Sequence, residues 1–133
     1  MSNESLFSEE FYKIKKACLN IKEKLGLGFL ENVYEKALLV ELTNAGFKIE
    51  EQKHFDVIYE GQNIGNYVAD IVLNDSIIIE LKTVDQIIGI HKAQIINYLK
   101  ISKYPLGLII NFSAKLNSFE IERVPNYISY PQE

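Results

Sequence analysis

Two carboxylates and one lysine interrupt segments that are otherwise apolar and largely β-branched. Asp70 lies in segment 68–73, and Glu80 and Lys82 lie at the end of a run that begins at residue 77. The second run is apolar on both faces, which is typical of a strand that is covered on both sides. Carboxylates in a partly buried place are costly unless a cation lies beside them. The pattern therefore predicts a site at which a lysine or a bound metal ion offsets two acids.

The residues between the two segments predict how the acids face each other. Residues 74–76 are Asn-Asp-Ser, whose short side chains bond to nearby backbone and favour turns. If all three form the loop, Leu73 faces Ile77, and Asp70 faces Glu80 on the neighbouring strand. Because side chains alternate between the faces of a strand, the lysine two residues after Glu80 is expected on the same face. An oxygen-only ligand set of this kind suits a hard divalent ion such as Mg²⁺.

The same charges also have a simpler interpretation, in which Asp70, Glu80 and Lys82 form a salt-bridge ladder on the solvent face of an antiparallel sheet. In such a sheet the solvent face is polar and the core face is apolar, so the strand alternates. The segment around Glu80 does not alternate in this way. The sequence therefore favours a functional site over a solvated ladder.

Apolar periodicity predicts the elements that position these residues. Helices are expected at 8–25, 29–45 and 86–103. The third is so rich in isoleucine and leucine that it is expected to be mostly buried against a sheet. Strands are expected at 47–50, 54–59, 62–73, 77–81, 106–112 and 119–124. The last strand is expected at a sheet edge, Gly65 predicts a bulge in the longest strand, and 125–133 is expected to be a loose tail.

Length and composition predict a single α/β domain that spans residues 1–133. With 47% hydrophobic and 24% charged residues, the chain can bury roughly two thirds of its unfolded surface. The net charge of −4 argues against a broad electrostatic grip on nucleic acid, because such binding depends on lysine and arginine neutralising phosphates. Any contact with DNA or RNA is therefore expected to be local.

The cysteine and histidine content excludes several classes of site. Cys18 is the one cysteine and the chain has two histidines, which argues against an internal disulfide and against a cysteine-based zinc site. A free thiol suits a reducing compartment. No apolar run has the length of a signal peptide or approaches the ~20 residues of a membrane span. The sequence predicts a soluble cytoplasmic protein without membrane contact.

Two motifs, taken together, resemble a known group of nucleases. Asp70, followed after nine residues by Glu80-Leu81-Lys82, is similar to the PD-(D/E)XK signature, with Ala69 where the name-giving proline would stand. Upstream, Gly28-x-x-Glu31-x-x-Tyr34 resembles the name-giving motif of the GxxExxY family, whose members are small proteins similar to those nucleases. The resemblance continues through residues 64–70 and covers most of the chain in order.

The resemblance implies a restriction-endonuclease-like αβββαβ core, with a mixed central sheet flanked by helices. It implies that a Mg²⁺ or Mn²⁺ ion is held by Asp70, Glu80, the carbonyl oxygen of Leu81 and Glu31. Lys82 would then orient the attacking water and stabilise charge on the phosphoryl oxygens. The catalytic set implied by the resemblance is Glu31, Asp70, Glu80 and Lys82.

Three further residues are expected to bind the substrate. Gln94 and Tyr98 resemble a Q-x-x-x-Y element of related exonucleases, which implies contact with the nucleic-acid backbone. Tyr34 lies one turn from Glu31 on the same helix face and is expected to join them. Spacing alone favours a simpler interpretation. In it, Glu31 is a first-turn acid that the helix dipole stabilises, and Tyr34 is a half-buried aromatic residue. The pair on the third helix is equally a polar stripe facing solvent.

The expected function is metal-dependent hydrolysis of phosphodiester bonds in DNA or RNA. One alternative is a catalytically inactive, nuclease-like binding or regulatory module. In a second alternative the acids form a structural ion-pair network and the apolar surface serves assembly, for instance as a homodimer. Titration with a divalent ion separates the three, because the inactive module would bind the ion without cutting and the structural network would do neither.

Overall fold

The chain forms two helices, a three-stranded meander, a third helix and two further strands. The fold is that of a computed structural model, which describes residues 7–126. In chain order the helices are α1 (Ser8–Lys24), α2 (Glu31–Asn44) and α3 (Gly89–Ser102). The strands are β1 (Ile49–Tyr59), β2 (Gln62–Leu73), β3 (Ile77–Lys82), β4 (Leu106–Ser113) and β5 (Ser118–Pro125). Most of the tail expected at 125–133 lies outside the described residues.

The five strands form one mixed sheet in the order β1-β2-β3-β4-β5. β3 and β4 run parallel, and the other neighbouring strands run antiparallel. Parallel neighbours need a long connection, which α3 supplies. The predicted α/β class is confirmed, and the elements from α2 to β4 give the expected αβββαβ order. β5 lies at an edge of the sheet, as expected for 119–124.

Helices cover both faces of the sheet. We call the core on one face the α1/α2 cluster, whose buried members include Ile14, Cys18, Ile21, Leu38, Leu42, Ile71, Leu73, Ile77, Ile79, Leu81 and Phe112. We call the core on the other face the α3 cluster, which contains Tyr67, Ala69, Val72, Ile78, Ile95, Leu99, Ile109 and Val124. Removing these apolar side chains from water is the main contribution that stabilises the fold.

The register of the β2–β3 hairpin agrees with the turn chemistry. Leu73 pairs with Ile77, so all three predicted turn residues form the loop. The bulge predicted at Gly65 is also present, because Gly65 pairs with Val57 whereas the next pair along joins Ile58 to Asn63. One residue of β2 is therefore left without a partner beside the glycine.

β1 is one continuous strand, whereas two strands at 47–50 and 54–59 were predicted. The residues between the two predicted strands are polar or charged. On this edge strand their side chains find partners instead: Glu51 lies 2.7 Å from Lys36, and Lys53 lies 3.1 Å from Glu50. Satisfied polar side chains do not interrupt backbone pairing, so the strand continues.

α3 is less buried than predicted. Only Ile95 and Leu99 are buried along it, while Ile90 is 62% and Ile96 44% exposed. These two buried residues are four apart, so one narrow stripe contacts the sheet. The stripe approaches β4 at Gly107, where a Cβ atom would lie 2.7 Å from Ile95 Cδ1. Within residues 7–126, no helix is long and apolar enough to cross a membrane.

Candidate active site

The site lies where β2 and β3 separate. Regular pairing between the strands ends at Ile71 and Ile79. Beyond that point the backbone N–H of Asp70 donates to Glu80 Oε2 at 3.1 Å, and the N–H of Leu81 donates to Asp70 Oδ2 at 2.8 Å. Each carboxylate thus replaces a backbone carbonyl in the ladder, and the two acids are fixed side by side between the strands.

Side-chain alternation along β2 breaks at Asp70, which the sequence did not predict. Tyr67 and Ala69 belong to the α3 cluster, whereas Ile71 and Leu73 belong to the α1/α2 cluster. All four have odd numbers and would share one face in a regular strand. The simple expectation that alternation places Asp70 on the face of Glu80 therefore fails. The break instead lets Asp70 lie between Glu80 and the acids of α2.

Glu80 is held on the side of the sheet that α3 covers. The hydroxyl of Tyr67 donates to Glu80 Oε2 at 3.0 Å, and the Tyr67 ring stacks on that of Tyr98 with centroids 3.6 Å apart. Burial and the charge of Asp70 together raise the pKa of Glu80 to about 7, against the hydrogen bonds that Glu80 accepts and the charge of Lys82. The pKa of the Glu80 carboxyl group therefore lies close to neutral pH.

The positive charge of Lys82 acts on three of the carboxyl groups. Burial raises the pKa of Asp70, while the N–H of Leu81, the amide of Gln52 and the ammonium group of Lys82 oppose that rise. The charge of Lys82 likewise lowers the pKa of both Glu80 and Glu31. The structure therefore brings together the four residues that were expected to form the catalytic set.

α2 contributes two acids. Glu31 lies in its first turn and is exposed, yet partial desolvation and the nearby charge of Asp70 raise its pKa. Glu35, one turn later, is only 8% exposed and accepts hydrogen bonds from Gln52 Nε2 at 3.1 and 3.0 Å. Burial raises the pKa of Glu35 to about 7 against those bonds.

Sequence reasoning missed Glu35, Gln52 and Tyr67. The available signal for Glu35 was its spacing of four from Glu31, which places both acids on one helix face. Gln52 carried no such signal, because its contact with α2 depends on the tertiary fold. Tyr67 precedes Asp70 by three residues, and only the break in alternation brings its hydroxyl to Glu80.

Tyr34 does not take the substrate-binding place expected for it. Its side chain is 0% exposed and stacks on Phe112 with ring centroids 4.4 Å apart. Its hydroxyl donates to the carbonyl of Gly26 at 2.8 Å and accepts the N–H of Phe29 at 3.3 Å. A substrate cannot reach a fully buried ring, so Tyr34 instead fixes the loop that precedes Glu31.

The expected substrate-binding pair on α3 is divided between two environments. Tyr98 stacks on Tyr67, and its pKa is raised by burial and by the charges of Glu80 and Asp70, so it borders the site. Gln94, one turn earlier on α3, is exposed to solvent. The two are four residues apart and lie on one helix face. The structure thus leaves Gln94 accessible beside a tyrosine that touches the site.

A buried polar network fixes the segment that follows Lys82. Asn111, which pairs with Lys82 across the parallel strands, is 0% exposed. Its side chain accepts the N–H of Val84 at 2.9 Å and donates to the Val84 carbonyl at 3.0 Å. Glu120 Oε2 accepts from Asn111 Nδ2 and from the N–H of Ile87, each at 2.9 Å. The chain leaving the site is therefore anchored to β4 and β5.

The donor chemistry of the site fits a hard cation. Several carboxylates converge here with pKa values raised by burial and by one another, and a dication would offset that cost. As the side chains stand, no group of three His, Cys, Asp or Glu residues within 7–126 is arranged to hold a metal ion. In Glu80, Oε2 accepts the hydrogen bonds from Tyr67 and from the Asp70 N–H.

Comparison with known proteins identifies the superfamily and supports the fold. A family model of the PD-(D/E)XK nuclease superfamily matches residues 8–124. The structure is similar to the crystal structure of SSO0001, with a TM-score of 0.56 and 17% identity over 90% of this chain and 60% of that one. It is also similar to an alkaline exonuclease from Laribacter hongkongensis, with a TM-score of 0.55 and 11% identity over 95% of this chain and 72% of that one. No curated protein matches the sequence significantly.

Proposed function

Because the chain belongs to the PD-(D/E)XK nuclease superfamily, we propose that it is a metal-dependent nuclease that hydrolyses phosphodiester bonds, with DNA as its first candidate substrate. Within the superfamily we assign it to the GxxExxY group. The observation that carries the proposal is the reciprocal hydrogen bonding of Asp70 and Glu80, each of which accepts an N–H from the other strand. This bonding keeps two oxygen ligands together beside Lys82, as a hard divalent ion requires.

Each residue of the site has a proposed role. Mg²⁺ or Mn²⁺ would be held by Asp70, Glu80, the carbonyl oxygen of Leu81 and Glu31. When bound, the ion supplies Lewis-acid chemistry, which makes water more acidic and neutralises the scissile phosphate. Lys82 orients the attacking water and stabilises negative charge that grows on the phosphoryl oxygens.

Contacts with the nucleic acid are proposed to be few. Gln94 and Tyr98 would contact the sugar-phosphate backbone next to the site. The net charge of −4 supports a local contact, because the chain lacks the excess of lysine and arginine that an extended phosphate interface needs. We place the activity in the cytoplasm, where a reducing environment would keep Cys18 a free thiol.

A cleavage assay tests the proposal. Linear, circular and single-stranded DNA and a single-stranded RNA would each be incubated with the protein and with Mg²⁺, Mn²⁺ or EDTA. We expect cleavage of at least one substrate that requires the divalent ion, and loss of that cleavage in Lys82→Ala. Lys100→Ala is the matched control, because it removes an exposed lysine of α3 and should cut like the wild type. Equal cutting by Lys82→Ala and Lys100→Ala would contradict the proposed role of Lys82.

A nuclease-like binding or regulatory module, acting alone or as a homodimer, is the second candidate. The observation that favours it is that no three potential ligands within residues 7–126 are arranged around a common point. Calorimetric titration with Mn²⁺ and a binding assay with the same nucleic acids separate the two candidates. Metal or nucleic-acid binding without cleavage of any substrate would favour the module.

A further inference from the structure

Gln52 has a backbone conformation that its place in the fold does not explain. Its φ is 53°, in the left-handed region that non-glycine residues rarely adopt. The other non-glycine residues within 7–126 with positive φ lie at helix ends or turns: Phe7, Glu60, Asn74, Asp75, Lys103 and Asn117. Gln52 instead lies inside β1. Backbone strain of this kind persists only where the surroundings impose it, and it is concentrated at functional sites.

The strained residue stands where both strands of the β1–β2 hairpin change face. Ile49 packs on the α1/α2 cluster, whereas Phe55 and Val57 pack on the α3 cluster, although all three have odd numbers. The pairs on either side, Glu51 with Ile71 and Lys53 with Ala69, keep one register. Gln52 is therefore level with Asp70, the point at which alternation breaks in β2.

The Gln52 side chain occupies the space that this change of face opens. Its Nε2 group donates to both carboxylate oxygens of Glu35, at 3.1 and 3.0 Å. The amide of Gln52 also opposes the rise in the pKa of Asp70. Glu35 is almost fully buried, and a neutral donor satisfies its carboxylate without adding charge.

We propose that Gln52 is a positioning residue of the candidate site: its left-handed backbone turns the hairpin across the sheet at the level of Asp70, and its amide holds the buried carboxylate of Glu35. The inference rests on the proposed nuclease function for its catalytic consequence. Its structural part concerns only how Asp70 is held. Residues that orient a metal-binding carboxylate typically contribute about 10–100-fold to metal affinity or activity.

Gln52→Gly tests this role without adding backbone strain. Glycine adopts positive φ freely, so the variant relieves the backbone strain while it removes the amide. Glu60→Gly is the matched control, because Glu60 has a φ of 49° at the exposed turn between β1 and β2. Glu60→Gly should melt at or above the wild-type temperature, whereas in Gln52→Gly the relief of strain is offset by the loss of the hydrogen bonds to Glu35. Gln52→Met, which retains the side-chain length without a donor, separates loss of the amide from the change of backbone.

Two measurements are compared across these proteins. The first is the kinetics of cleavage, namely kcat and the Mn²⁺ concentration that gives the half-maximal rate. We expect Gln52→Gly and Gln52→Met to lower kcat or to raise that Mn²⁺ concentration by about 10–100-fold, and Glu60→Gly to change neither. The second is the amide signal of Leu81 in a ¹H–¹⁵N NMR spectrum, since that N–H donates to Asp70 Oδ2 at 2.8 Å. The signal should move in both Gln52 variants and stay in place in the control.

The NMR measurement keeps the inference testable if the wild type cuts nothing. In that case the proposed function fails, while a shift of the Leu81 amide in the Gln52 variants alone would still support the positioning of Asp70. If Gln52→Gly and Gln52→Met leave the Leu81 signal where it is in the wild type, the inference is overturned. Wild-type kcat and Mn²⁺ dependence in both variants would overturn it as well.

Discussion

The burial of Glu80 predicts that a neutral replacement makes the metal-free protein more stable above neutral pH. Burial and the charge of Asp70 raise the pKa of Glu80 from 4.5 to about 7, so the folded protein keeps a proton that the unfolded chain loses. Stability must then fall as the pH rises from about 4.5 to about 7, and the loss is complete above that range. Glu80→Gln has no proton to lose and escapes this penalty. Its side-chain oxygen can still accept the bonds from Tyr67 and from the Asp70 N–H.

The size of the effect follows from the shift. Each pH unit corresponds to about 1.4 kcal/mol, so a rise from 4.5 to about 7 sets a ceiling of about 3 kcal/mol. Glu80 is partly exposed, and solvent screening reduces the expected difference to about 2 kcal/mol between pH 5 and pH 8. For a domain of this size, 2 kcal/mol corresponds to roughly 8 °C in Tm.

The assay is a pair of thermal melts, at pH 5 and pH 8 in EDTA, for the wild type and Glu80→Gln. The difference in Tm between the two proteins should be small at pH 5 and should favour the variant by several degrees at pH 8. Because Glu35 is present in both proteins, its own titration largely cancels in the comparison. A variant that is less stable than the wild type at pH 8, or a difference in Tm that does not change with pH, would refute the reasoning.

Three further substitutions test the packing around the site. Asn111→Ala should cost about 3 kcal/mol, because it removes a buried side chain and leaves the half-buried N–H and carbonyl of Val84 without partners. Denaturant unfolding measures this cost, and a cost no larger than that of the same change at an exposed asparagine would contradict the network. Tyr34→Phe removes one hydroxyl group and should lower stability by about 1 kcal/mol in the same assay. The variant should still cleave, because the ring is buried. Loss of cleavage with an intact fold would mean that Tyr34 does belong to the site. Gly107→Ala should cost about 2 kcal/mol of stability by overpacking against Ile95. Adding Ile95→Val to the same protein should recover part of that cost. If it recovers none, the contact with Ile95 is not the cause of the loss.

Local chemistry made the hairpin predictable. Residues 74–76 favour a turn, and the register in which Leu73 pairs with Ile77 follows from their number. The order of helices and strands followed equally from periodicity. Glu35 and Gln52 were not predictable, because their contact joins α2 to β1 and depends on a change of face within the sheet. No local pattern encodes that change.

The depth of burial was harder to predict than the elements themselves. α3 is rich in isoleucine, yet only Ile95 and Leu99 along it are buried, and both approach β4 at Gly107. Tyr34 was expected at the site because it shares a helix face with Glu31. Tyr34 is buried against Phe112, whereas Glu31 is the first residue of α2 and is exposed.

Cleavage of one labelled DNA by the wild type and by Asp70→Asn, across a titration of Mn²⁺, tests the central claim most directly. Asparagine keeps the shape of the side chain and can still accept the Leu81 N–H, but it removes the charge that an ion would need. The account predicts cleavage that rises with Mn²⁺ in the wild type and is absent at every concentration in Asp70→Asn, whose Tm in EDTA should be no lower than that of the wild type. Equal cleavage by the two proteins would contradict it.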